Sequence, residues 1–331
     1  MSAPHRVVAA LALSTLLAAC QRDAGPTAGL AWAYQHGDTT TFGQPLGPGP
    51  FRVPGSTLVL TRDQVEHAGK PIDWHPDAHP PAPPVVAGPA VGEATPCAEC
   101  HLFNGAGFPA SADLAGLPAA YIIEQVGAFR SGQRTSARGG QLNTAEMIKT
   151  AKAVSPAALR EAAAYFARLP RPRWLKVVEG ANAPRTMPDK FGWLNVAPGG
   201  GTEPLGDRIV ELSDDLPRMM MGDDQVMLID HVPPGAIARG RKVAESGGGA
   251  GVPCRTCHGE RLSGLLGGLL GGLGAAPPIA GRPAGYIART LWDLRSGARA
   301  NAGAAPMLPI ARALSPAQVR DLAAYLASLS A

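Results

Sequence analysis

Apolar positions along this chain form two helical patterns, and each pattern occurs twice. Leu117 to Arg130 reads as a helix, with Pro118 near its start and Ser131-Gly132 near its end. A second helix starts at Ser155-Pro156, where serine suits the cap and proline the first helical position. It carries Leu159, Ala163, Phe166 and Leu169 at helical spacing and is stopped by Pro170. In the second half, Pro283-Ala284-Gly285-Tyr286 to Arg295-Ser296-Gly297 repeats the first pattern, and Ser315-Pro316 to Ala324-Tyr325 repeats the second. Between the copies, 174–178, 208–212 and 226–229 read as short strands separated by Pro, Gly and Asp. Before the first copy the pattern is weak. Thr57 to Leu60 suits a short strand, Thr61 to His67 a short helix capped by Thr61, and the proline-rich 73–81 must be extended.

The first 19 residues differ from everything that follows. A weakly basic start (His5, Arg6) leads into an apolar run from Val7 to Leu13, continued by Leu16-Leu17-Ala18-Ala19. The run is too short for a comfortable membrane span and has signal-peptide form. Leu17-Ala18-Ala19-Cys20 resembles a bacterial lipobox, which implies that Cys20 becomes the lipidated N-terminus; the alternative is an ordinary signal peptide with a chance cysteine. In lipoproteins of this kind an Asp after the cysteine retains the protein in the inner membrane. Gln21 is not that residue, so the resemblance implies the outer membrane.

Composition narrows the function classes. The 331 residues include 45% hydrophobic but only 5% aromatic side chains, with 41 Gly and 33 Pro, which suggests short helices and long irregular connections. Net charge is +4 without a basic or acidic run, so nothing suggests a nucleic-acid partner.

The cysteines supply the chemistry. Apart from Cys20, the other four form Cys97-Ala98-Glu99-Cys100-His101 and Cys254-Arg255-Thr256-Cys257-His258. C-x-x-C-H is the attachment signal for c-type haem. Two thiols one turn apart each add across one haem vinyl group, and the histidine that follows lies under the ring, where it binds the iron. One such motif could be a redox pair or half a zinc site; two copies, accounting for every cysteine but Cys20, favour two covalently bound haems.

The motif copies are separated by 157 residues (Cys100 to Cys257), the tyrosine helices by 165 (Tyr121 to Tyr286) and the final helices by 160 (Tyr165 to Tyr325). The second copy therefore gains eight residues after its motif, in the Leu/Gly-rich tract Leu262 to Ala276, and loses five before its last helix. That tract reads as a flexible apolar loop near the haem, not a membrane element. Met147 and Met307 each lie eight residues before the repeated serine cap, Ser155 or Ser315. A thioether is a neutral, soft donor that binds low-spin haem iron and raises its potential. Both methionines are expected on loops, opposite the iron-binding His101 and His258. His67, His75 and His79 are competitors, as alternative haem ligands or a separate metal site, against a plainer role as surface and packing residues. Trp74 suits cover for an apolar face. Met219, Met220, Met221 and Met227 lack such a register and read as packing residues, with copper binding as the alternative.

Motif, middle helix, methionine and final tyrosine-bearing helix follow the order of class I cytochromes c. The chain resembles the bacterial tandem di-haem members of that family, and Gly240-Arg241-Lys242-Val243-Ala244 is similar to their first helix, whose glycine permits close crossing by the last. Residues 80–92 are too rich in Pro and Gly for that helix, so packing from 57–79 is expected in its place. The resemblance implies a mostly α fold: two tandem class I cytochrome c-like domains, 81–170 and 235–331, with a small β-containing connector, 171–234. Before them come a signal peptide, 1–19, and an N-terminal tether and irregular extension, 20–80. It implies an electron carrier on the periplasmic side of a membrane, held by its N-terminal lipid and exchanging single electrons with a protein donor and acceptor. An electron-accepting subunit of a periplasmic dehydrogenase is the alternative. A di-haem peroxidase, which needs one openable iron, fits less well with two in-register methionines.

Overall fold

The computed structural model describes residues 29–34, 46–188, 193–264 and 276–330. The leader with Cys20 and most of the Leu/Gly tract lie outside the described residues. Among the described residues no helix is long and apolar enough to cross a membrane.

The first half contains α1 (Arg62–Glu66), α2 (Pro84–Ala87), α3 (Ala98–His101), α4 (Ala119–Arg130), α5 (Leu142–Ala153) and α6 (Pro156–Arg168). The middle contains β1 (Leu175–Glu179), β2 (Asn182–Pro184), β3 (Thr186–Pro188), β4 (Leu194–Val196), β5 (Thr202–Pro204), β6 (Val210–Ser213), α7 (Leu216–Met220) and β7 (Leu228–Val232). The second half contains α8 (Ala236–Ser246), α9 (Arg255–His258), α10 (Ala284–Ser296), α11 (Met307–Ala313) and α12 (Pro316–Ser328). The order α3–α6 thus recurs as α9–α12, and the fold is helix-rich with some sheet.

Cap chemistry sets the repeated starts. Ser155 and Ser315 each accept a bond from the third residue on, Ala158 N and Gln318 N, both at 3.2 Å. Pro156 and Pro316 occupy the first helical turn, where the missing N–H costs nothing. Thr61 and Gln64 form a reciprocal capping box at α1. Pro118 and Pro283 are themselves the caps of α4 and α10.

Several local expectations differ from the fold. Leu60 makes only an isolated bridge to Phe51, because no second strand continues the pairing expected at 57–60. Within 73–81, residues Pro76–Ala78 tighten into a 3₁₀ turn instead of running extended. Met147 lies inside α5 and Met307 opens α11, so neither methionine is on a loop.

In the second half α8 crosses α12 at Gly240, where an added Cβ would collide with the Asp321 carbonyl. In the first half the corresponding position has only α2. Its Val86 is fully buried against Leu117, Tyr165 and Phe166. Residues 29–34 are also docked. Leu30, Ala33 and Tyr34 are buried with Leu291, Trp292 and Leu322 in the core of the second half. Three of the seven middle strands form one sheet in the order β1-β7-β6, parallel between β1 and β7 and antiparallel between β7 and β6. Two further ribbons, β2-β5 and β3-β4, are three residues per strand. β2, β3 and β5 each end in proline, which cannot donate to a ladder.

Candidate haem centres

Both motifs occupy a single helical turn. His101 N donates to Cys97 O at 2.9 Å, and His258 N donates to Cys254 O at 3.0 Å. One turn therefore brings two thiols and an imidazole together, as attachment and ligation require. Each imidazole is oriented the same way: His101 Nδ1 donates to Ala112 O and His258 Nδ1 to Pro277 O, both at 2.8 Å. A carbonyl only accepts, so the proton is on Nδ1 and the lone pair is on Nε2, the nitrogen left for iron. Burial lowers both histidine pKa values, so both rings are neutral and ready to ligate near neutral pH.

The thiols are free and partly buried. Burial pushes Cys97 up to about 12 and Cys100 up to about 11, and it raises Cys254 as well. After the turn the chain must adopt positive φ. Gly259 does so at φ 80° in the second copy, but Leu102 does so at φ 59° in the first. Leu102 is held there by burial among Trp174, Met219 and Leu228, which ties the middle segment to the first centre.

Met307 and Cys254 pack against one apolar cluster. Met147 packs against Val126, Ala151, Val154 and Leu159, whereas Cys97 packs against the Val86–Phe166 cluster; Val85 and Ile123 touch both clusters. The three histidine competitors are engaged elsewhere. His67 is exposed beside Asp63. Buried His75 contacts Asp223 Oδ1 through Nε2 at 2.9 Å, and His79 Nε2 contacts Asp73 Oδ1 at 3.1 Å. His75, Asp223 and Asp224 have donor atoms within 4.8 Å of one another. Asp223 is already engaged on both oxygens, by His75 at Oδ1 and by Arg218 Nε at Oδ2, 2.6 Å away. Trp74 is buried with Val53 and Met221, and its Nε1 donates to Met221 O at 2.8 Å.

A charged seam between the halves has no local signal in the sequence. Arg299 Nη2 donates to the Tyr121 hydroxyl at 2.9 Å, and Arg134, its counterpart 165 residues earlier, bonds Tyr286, the counterpart of Tyr121. Arg282 pairs with Asp113, both almost wholly buried, and Asn301 Nδ2 donates to Glu124 Oε1 at 2.8 Å. Burial pushes the Tyr286 phenol up, but Arg134, Arg299 and Arg282 outweigh it and hold the pKa below the usual value. Arg282 Nη2 and Arg299 Nε are buried without a partner. Two orphaned guanidinium donors in a cationic seam call for an anionic group, and a c-type haem carries two carboxylates. Thiols, oriented imidazoles and two orphaned guanidinium nitrogens together fit covalently held haem.

A family model described as cytochrome c matches residues 237–330. The "thiosulfate dehydrogenase electron acceptor" of Stutzerimonas stutzeri is 38% identical over 96 residues, 28% of this chain and 40% of that protein. The chain thus matches less than half the length of that curated relative. Among solved structures, thiosulfate dehydrogenase (TsdBA) from Marichromatium purpuratum aligns with TM-score 0.44 and 24% identity, over 71% of this chain and 36% of that one. Reduced cytochrome c4 from Pseudomonas stutzeri aligns with TM-score 0.43 and 23% identity, over 71% and 93% of the two chains. The match to the cytochrome c family model thus falls on the segment that holds the second C-x-x-C-H turn, α9 to α12.

Proposed function

We propose that this protein is a di-haem c-type cytochrome that relays single electrons in the periplasm through two His/Met-ligated haems. The observation that carries the reading is the repeated histidine lock. His101 and His258 sit at the same place in two like-capped helical turns, each with Nδ1 tied to a carbonyl and Nε2 left open. In this reading Cys97 and Cys100 hold one haem, and Cys254 and Cys257 the other. Met147 and Met307 supply the sixth ligands; each lies one helix before the final capped helix of its half. Haem, once bound, supplies reversible one-electron chemistry at iron. The chain's own residues attach it, exclude water and fix the ligand rings. Cys20 carries lipid and holds the protein at a membrane, the outer one in a Gram-negative cell.

A second reading concerns the partner. The relative named as an electron acceptor of thiosulfate dehydrogenase favours a haem subunit that takes electrons from such an enzyme. The chemistry at the haems is the same in both cases.

The decisive measurement is the mass of the denatured protein together with its oxidised near-infrared spectrum. Two covalent haem additions and methionine–iron charge-transfer bands at both centres are expected. One addition or none would refute the di-haem reading, and a missing band would refute the methionine assignment at that centre.

A further inference from the structure

The two halves differ most where their final tyrosine helices meet the N-terminal packing element. In the second half α8 fills this place. In the first half, residues 73–79 and α2 take part instead, and they bring a histidine against Tyr165. His79 is folded over Phe103, with ring centroids 5.2 Å apart and planes 12° from parallel. Phe103 is two residues beyond His101.

Both ring nitrogens of His79 face acceptors. Nε2 meets Asp73 Oδ1 at 3.1 Å and Nδ1 meets Pro80 O at 2.9 Å. A carboxylate and a carbonyl cannot donate, so the doubly protonated imidazolium satisfies both contacts. The side chain of His79 is only 3% exposed, so a proton gained or lost there changes the charge close beside the first haem motif. Its other near neighbour is the Tyr165 hydroxyl, 3.1 Å from Nδ1, which donates to Phe103 O at 2.8 Å. If Nδ1 loses its proton, this hydroxyl can turn from Phe103 O and donate to the bared nitrogen. Either protonation state therefore finds a partner, and the change reaches the backbone next to His101.

The titratable groups facing His79 are Asp73 on its own segment, Tyr165 on α6 and Asp224 on the loop between α7 and β7. Asp224 in turn adjoins His75 and Asp223. The hydrogen bond that His79 gives to Asp73 raises the His79 pKa and burial opposes it; the contact with Pro80 O and the charges of Asp73 and Asp224 add to the rise. Tyr325, the counterpart of Tyr165, stands instead against α8 at Gly240.

We propose that His79 is a proton-binding group coupled to the first haem, so that electron uptake at that haem, and not at the second, is accompanied by proton uptake. This rests on the di-haem reading above. The balance is simple: one electron passes from the donor protein to iron, and one proton passes from solvent to His79 Nδ1. Reoxidation returns both. The added electron makes the iron centre less positive, so the nearby imidazolium is easier to form in the reduced state. Conversely, the protonated ring favours reduction. The potential of the first haem should therefore fall as pH rises through the His79 pKa, while that of the second stays level.

The test is a spectroelectrochemical titration of the haem-loaded full chain at a series of pH values, with haem content first verified by mass. One of two resolved potentials should fall with pH across the neutral range. The Met147→His variant, which shifts the potential of the first haem alone, identifies that centre. His79→Gln should level the response, and Asp73→Asn should move its onset to lower pH. Two haem additions with neither potential responding, with both responding alike, or with a response that survives His79→Gln would overturn the proposal while leaving the di-haem reading intact. A single haem addition would overturn both.

Discussion

Replacing Gly240 by alanine sets two known effects against each other. Alanine in a helix interior is favoured over glycine by about 0.8–1.0 kcal/mol, so propensity alone predicts a more stable protein. The crossing of α8 and α12 predicts the opposite. The new Cβ would overlap the Asp321 carbonyl and stand 2.7 Å from the Tyr325 Cβ. Ordinary carbon–carbon contact lies near 3.5–4.0 Å, so the helices must part by about 1 Å. Overpacking of this kind costs about 1–3 kcal/mol. The obstacle here is backbone, which cannot rotate away, so the upper part of that range applies. The net effect is a loss of about 1–2 kcal/mol. Gly127 on α4 is the internal control, because an added Cβ there meets nothing within 4 Å. Gly127→Ala should gain about 0.8–1.0 kcal/mol. Guanidinium unfolding of the haem-loaded protein, followed by far-UV circular dichroism, measures both. If Gly240→Ala unfolds at the same or higher denaturant concentration than the parent while Gly127→Ala is stabilised, the close-crossing argument is wrong.

Met307→Ala should open one iron, lower its potential and admit exogenous imidazole or cyanide there alone; Met147→Ala should do the same at the other centre, as ligand-binding spectra will show. Cys20→Ser should release the protein from membranes or leave its leader uncut; membrane fractionation with the leader still removed would defeat the lipid assignment. Asp230 and Glu211 face each other across β7 and β6, and burial and the Glu211 charge push the Asp230 carboxyl pKa well above its usual range. A carboxyl raised in the folded state contributes stability fully below its unfolded pKa, and that contribution fades as pH rises through the folded value. Asp230→Asn should therefore flatten the decline of the denaturant midpoint toward alkaline pH, and an unchanged decline would show that the carboxyl is not its source.

What could be read from the sequence was local. Ser155-Pro156 and Ser315-Pro316 announce helix starts because cap and first turn are set by adjacent residues. The C-x-x-C-H turns are legible for the same reason, and Gly240 was legible through family resemblance. What stayed hidden depends on distant partners. Arg299 and Tyr121 are 178 residues apart, and Tyr34 and its partner Asp293 are 259 apart. No period or cap marks such pairs. The four three-residue strands escaped notice because proline ends three of them and none is long enough to alternate. The helical setting of Met147 was missed because Leu142–Ala153 presents only Ala151 as a buried residue, which leaves almost no apolar stripe to read.

The middle segment, which offered no function from its sequence, is placed where both halves need it. On one side Glu211 Oε1 and Asp230 Oδ2 accept bonds from Gly285 N and Ala284 N, both at 2.9 Å, and so satisfy the buried start of α10. Any side chain at Gly285 would displace Glu211. Buried carboxyl oxygens at a helix N-terminus satisfy its orphan N–H groups. On the other side Trp174, Met219 and Leu228 hold Leu102 in its left-handed conformation, and Asp224 Oδ2 accepts from Asn104 N at 3.1 Å. The first half has only the single turn of α2 where the second half has the eleven-residue α8, so it lacks a wall of its own. The connector supplies part of that wall from β1, β7 and the loop before it, and residues 73–79 supply another. A linker joining two independent domains would need none of these contacts. Strain at Leu102, the capped start of α10 and the arginine seam instead make the relation between the two C-x-x-C-H turns a property of the whole fold.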